Sequence, residues 1–111
     1  MALPKETKEQ EAVVKWLRNN GHLVFSIPNG GRKSVAEAVV AKRTGEVAGW
    51  PDLGVALKKG LIVWVEMKRR AGGVVSPAQK KIHAQLRALG HVVILAKGAK
   101  DAVTQLRELG L

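Results

Sequence analysis

The stretch from residue 51 to residue 68 constrains this fold more than any other. Leu53 to Leu57 and Leu61 to Lys68 are apolar runs of strand length, split only by Lys58-Lys59-Gly60. A short glycine-bearing break between two such runs is the signature of a β-hairpin. If the chain turns on residues 58 to 60, cross-strand neighbours have indices that sum to 118, so 57 lies opposite 61 and Asp52 lies opposite Glu66. Directly opposed residues have β-carbons roughly 4.5–5.5 Å apart, close enough for two carboxylates to hold one hard cation between them. Side chains alternate along a strand, so Glu66 and Lys68 leave one face while Val63, Val65 and Met67 enter the other. Two carboxylates and one ammonium converge.

The rest of the chain supplies the covering for such a hairpin. Residues 5 to 19 read as a helix, with Glu6, Gln10, Val13 and Leu17 on one face and Gly21 as the stop. His22 to Ile27 is a strand that ends in the turn residues Pro28-Asn29-Gly30-Gly31. Ser34 and Glu37 form a capping box for a helix from Val35 to Arg43, which Gly45 closes. Ser76-Pro77-Ala78-Gln79 opens a third helix whose Ile82, Leu86 and Leu89 share a face up to Gly90. His91 to Ala96 is a strand, and Lys100 to Leu109 a last helix. The order is αβαββαβα, and no internal repeat is present. This predicts one α/β domain over residues 1–111, a small mixed sheet flanked by helices.

Charge narrows the partners. Nineteen Lys and Arg against nine Asp and Glu leave a formal charge of +10 on 111 residues, a potential that attracts polyanions, nucleic acid above all. The absence of cysteine excludes zinc fingers, disulfide frameworks and thiol nucleophiles. Residues 1 to 20 carry charges throughout, and no apolar run approaches the roughly twenty residues of a membrane span, so the expectation is a cytoplasmic protein with no membrane partner.

Phosphodiester hydrolysis wants the set that the hairpin gathers. A divalent ion polarises the phosphoryl oxygen and lowers the pKa of water, while an adjacent lysine orients that water or steadies developing charge. Mg²⁺ keeps waters and needs few carboxylates from the protein. A further acid from the first helix would complete the site; Glu6, Glu9 and Glu11 all qualify, and Glu6 is favoured because its helical face is the apolar one. The same acids also fit a role at the helix dipole, and Glu66 with Lys68 also fits a solvent-facing ion pair. Asn29-Gly30-Gly31-Arg32-Lys33 suits either phosphate contact or an ordinary turn, and lacks the ending of a P-loop. Arg69 and Arg70, just past the acid-bearing strand, and Lys58 and Lys59 at the hairpin tip could track a phosphate backbone. Trp50 suits stacking on a base or packing, with packing the commoner fate. Trp16 and Trp64 are assigned to packing. The three histidines have no partners at metal-ligand spacing and read as structural or exposed. A Gly-x-Ser-x-Gly nucleophile elbow does not occur.

Nearly the whole chain resembles the VRR-NUC domain, the virus-type replication-repair branch of the PD-(D/E)xK nucleases. The resemblance is carried by the acidic first helix with Trp16-Leu17, by Gly21-His22 through Gly31, by Gly49-Trp50-Pro51-Asp52-Leu53, by Glu66-Met67-Lys68, and by Ser76-Pro77-Ala78-Gln79-Lys80. It implies a restriction-endonuclease-like core and a Mg²⁺- or Mn²⁺-dependent deoxyribonuclease. Asp52, Glu66, the main-chain carbonyl of Met67 and a first-helix acid, Glu6, would serve as metal ligands, Lys68 as the catalytic lysine, and Gln79 would lie near the metal-bound water. Gln79 is also the third residue of a capping box, which competes for its side chain. Asn29, Arg32, Lys33, Arg69, Arg70 and Lys80 are the expected DNA contacts. Stand-alone relatives look like homodimers, which suits branched DNA such as a Holliday junction. Rival expectations are a non-catalytic nucleic-acid-binding module and a restriction-type endonuclease of linear duplex.

Overall fold

The computed structural model of the chain describes residues 6–28 and 34–111. The expected DNA contacts Asn29, Arg32 and Lys33 lie outside the described residues. In chain order the elements are α1 (Glu6–Asn19), β1 (Leu23–Ser26), α2 (Val35–Arg43), β2 (Leu53–Ala56), a 3-10 turn (Lys58–Gly60), β3 (Ile62–Lys68), α3 (Pro77–Ala88), β4 (Val92–Lys97) and α4 (Ala99–Glu108). The result is a small α/β fold with a four-stranded mixed sheet, in spatial order β1-β2-β3-β4.

The hairpin adopts the register that its turn dictates. Leu53 pairs with Val65 and Ala56 with Ile62 in the antiparallel β2–β3 ladder. Lys59 and Gly60 both take positive φ at the tip, 65° and 74°, which lets the Leu57 amide donate to the Leu61 carbonyl at 2.9 Å. β1 pairs with β2 antiparallel, and β4 lies parallel to β3, with Glu66 opposite Leu95 and Lys68 opposite Lys97. The phenyl ring of Phe25 covers Gly54, its cross-strand partner, and occupies the place that a β-carbon would take.

Alternation along β3 divides the core in two. Val63, Val65 and Met67 join Leu53, Val55, Ile94 and Ala96 beneath α1 and α4, which contribute Val13, Leu17, Ala102 and Leu106. The other face places Trp64 and Val93 against Ile82 and Leu86 of α3. Both faces of β3 are therefore covered, and Glu66 and Lys68 are buried beneath a helix rather than open to solvent. Burial of each large aliphatic side chain contributes about 1.5–3 kcal/mol, which is what secures α1, α3 and α4 to the sheet. α2 is capped by Ser34, whose Oγ accepts from the Glu37 amide at 3.2 Å, but buries none of its residues. Among the described residues no helix is long and apolar enough to cross a membrane.

Trp50 packs rather than projecting: its ring stands edge-on to Trp64, with centroids 5.5 Å apart. Gly49 explains how the loop before β2 reaches α3. At φ +89°, it approaches so closely that a β-carbon would stand 2.5 Å from the Ala78 carbonyl. Gly49→Ala should therefore lower stability by about 1–3 kcal/mol through overpacking, measured by denaturant unfolding. Gly21→Ala, also at positive φ but facing open space, should cost less.

Candidate active site

β3 carries two polar side chains into the layer under α3, and each meets a partner there. Lys68 Nζ donates to Gln79 Oε1 at 2.8 Å. Glu66 Oε1 lies 3.2 Å from His83 Nε2. Asp52, in the residue before β2, is brought beside Glu66 by the hairpin register, and the two carboxyls share a hydrogen bond. The other tie on Asp52 is to the backbone: its Oδ2 accepts from the Met67 amide at 2.8 Å. A cleft of about 340 Å³, bounded by the 46–50 loop, Asp52, Ser76, Ala78 and Gln79, opens this cluster to the outside.

The N-terminus of α3 resolves the competition for Gln79. Ser76 Oγ accepts from the Gln79 amide at 3.1 Å, and the Ser76 amide donates back to Gln79 Oε1 at 2.9 Å. That same Oε1 receives the Lys68 ammonium. A carbonyl oxygen has two lone pairs, so one side chain caps the helix and anchors the lysine.

The two carboxyls define the electrostatics. Glu66 is only 2% exposed, and its carboxyl is pushed up from 4.5 to about 9. Burial is the largest cause, followed by the hydrogen bond and the charge of Asp52; Glu6 adds in the same direction and Lys68 opposes. Burial, helped by the charges of Arg87 and Lys68, holds His83 below its usual 6.5 despite Asp52. Glu66 thus keeps a proton at neutral pH where a stronger positive charge would release it.

The donor set fits a hard divalent cation. Two adjacent carboxyls, one of which cannot ionise without a positive partner, are a site where a proton and a cation compete. Among the described residues no three carboxylate or imidazole groups converge as a ready-made cage, so water would complete the coordination, as Mg²⁺ favours. The Met67 side chain is buried in the core, which leaves only its main chain to serve as a ligand.

Other expected residues fall in different places. Glu6 was expected to turn inward but is exposed, although its charge reaches Glu66. The buried stripe of α1 is Glu9, Val13 and Leu17, because a four-residue step back from Val13 lands on Glu9. Glu9 Oε1 pairs with Arg70 at 2.8 Å, and its Oε2 accepts from the Ala99 amide at the start of α4. Arg70, expected on DNA, is thus held by an ion pair, while Arg69 and Lys80 are exposed. His83, read from sequence as structural or exposed, is buried on the acid pair. Its position one helical turn beyond Gln79 was the signal that could have found it.

The Glu66 shift fixes a sign for pH dependence. Folded Glu66 retains a proton that the unfolded chain releases above about 4.5, so cation-free stability is highest below that pH and falls until about pH 9. Glu66→Gln, which cannot titrate, should gain stability relative to the parent chain as pH rises through this window. Thermal unfolding in a chelating buffer across the range measures it.

No protein-family model matches the chain. A curated relative, "Putative nuclease p44" of Acyrthosiphon pisum secondary endosymbiont phage 1, is 33% identical over 95 residues, covering 86% of this chain and 85% of the relative. A solved structure titled "VRR_NUC domain protein" superposes with a TM-score of 0.80 at 22% identity, over 97% of this chain and 89% of that one. Another, titled "VRR_NUC domain", gives a TM-score of 0.66 at 28% identity, over 96% of this chain and 97% of that one. With a phage relative aligned along most of both chains and two such folds superposing on nearly all of the structure, the chain belongs to the VRR-NUC family of nucleases.

Proposed function

We propose that the protein hydrolyses DNA phosphodiester bonds with the help of Mg²⁺ or Mn²⁺ and that branched DNA, such as a four-way junction, is its substrate. The observation that carries the reading is the buried, hydrogen-bonded Asp52–Glu66 pair beside the Lys68–Gln79 contact. Asp52 and Glu66, with the main-chain carbonyl of Met67, would hold the cation, and Glu6 would add negative charge from α1. When bound, the cation supplies positive charge that polarises the phosphoryl oxygen and lowers the pKa of water. Lys68, held by Gln79, directs its ammonium to the same pocket, where it orients the nucleophile or steadies charge on the phosphate. The loop through Trp50 and the N-terminus of α3 form the walls of the cleft. Arg69 and Lys80, with Asn29, Arg32 and Lys33, would bind the DNA backbone, and the formal charge of +10 draws it in. Val35, Val39 and Val40 of α2 are exposed, which supports a second copy of the chain covering them and two cuts on one branched substrate.

Cleavage of a four-way junction, a flap, a single strand and a linear duplex, each with Mg²⁺, Mn²⁺ or a chelator, tests the reading. The junction should be cut fastest and only with the cation. Equal rates on all four would overturn the branched substrate, and salt-sensitive binding with no cutting at any metal concentration would make the protein a binding module. Lys68→Ala should lower the cleavage rate by about 10²–10³-fold and leave junction binding in chelator unchanged. Light scattering in solution should give twice the mass of the chain.

A further inference from the structure

The nuclease reading leaves one buried polar group unused. His83 is 3% exposed and Glu66 2%, and they are in contact at 3.2 Å. The neighbours of His83 on α3, Ile82 and Leu86, are apolar and pack on Trp64 and Val93. Leucine at position 83 would match them and carry no desolvation cost, whereas two buried ionisable groups set against each other contribute little to stability. The placement is also systematic. Gln79 and His83 stand one helical turn apart, roughly 6 Å of rise, and Lys68 and Glu66 stand two strand residues apart, roughly 6.6 Å. α3 thus runs its two polar side chains along β3 at matching intervals, Gln79 to Lys68 and His83 to Glu66.

The geometry points to His83 as a positioning residue that donates its Nε2 proton to Glu66 Oε1, fixes the carboxylate rotamer and leaves the other oxygen for the cation shared with Asp52. Metal-site carboxylates are commonly held by such hydrogen bonds, and loss of one weakens the metal without removing a ligand. This inference rests on the cation-dependent reading above, and its test separates the two.

Mn²⁺ binding is measured without DNA, from the spin-resonance signal of the free ion, on the parent chain, His83→Leu, His83→Gln and Asp52→Asn. Thermal unfolding is followed in chelator alongside. His83→Leu should weaken Mn²⁺ by about 10–100-fold, and His83→Gln, whose amide can still donate, should recover to within about threefold of the parent. The unfolding temperature of His83→Leu in chelator should stay the same or rise. Mn²⁺ affinity unchanged in His83→Leu would overturn the inference, as would equal losses in both His83 variants together with lower unfolding temperatures, which mark a purely structural histidine. A parent chain that binds no Mn²⁺, or binds it no better than Asp52→Asn, would overturn the cation reading itself and the role of His83 with it.

Discussion

Two carboxyl groups forced together in a poorly hydrated layer are the interaction on which the rest of the structure turns. The hairpin register brings Asp52 to Glu66, and burial then keeps Glu66 protonated to about pH 9. Neutral residues of similar shape would suit a sheet better at this place, since burial of like charge costs stability wherever no counter-charge arrives. The neighbouring groups make sense as responses to that cost. Asp52 takes a backbone amide, Glu66 takes an imidazole, and Lys68 lowers the local potential from one strand position further on. A proton fills the gap that a doubly charged ion would fill better.

α3 couples the parts of the site. Its first turn is capped by the side chain that receives the lysine, and its second turn supplies the imidazole on the glutamate. Ile82 and Leu86, packed on Trp64 and Val93, fix the rotation of the helix about its axis. Apolar packing therefore sets the angle at which two polar contacts are made, and Gly49 sets how near the opposing loop can come.

Much of this was legible in the chain, for reasons that differ by element. The β2–β3 register followed from a three-residue tip and a strand period of two, because a slip by one residue would turn Val63, Val65 and Met67 out of the core. Serine caps marked the starts of α2 and α3 because a capping box is a local device. What escaped was rotational and tertiary. Whether Glu6 or Glu9 faces inward depends on a few tens of degrees about the axis of α1, and three glutamates within six residues leave that choice to α4 and Arg70. His83 has no sequence neighbour that reveals its partner, since Glu66 lies seventeen positions away. Burial of Glu66 and Lys68 under α3 was equally invisible, because a strand with one polar face reads the same whether water or a helix covers it.

The clamp at Glu9 joins the two ends of the polypeptide. Its carboxylate reaches the amide of Ala99, ninety positions along, and grips Arg70 on the way, while the Gly98 amide ties down the Lys68 carbonyl. Closure of so long a loop comes late in folding, after the local hairpin has formed. A chain still emerging from the ribosome therefore carries the acid pair on a strand whose outer neighbour, β4, is among the last segments to be made. Competence to cut is withheld until synthesis is nearly over.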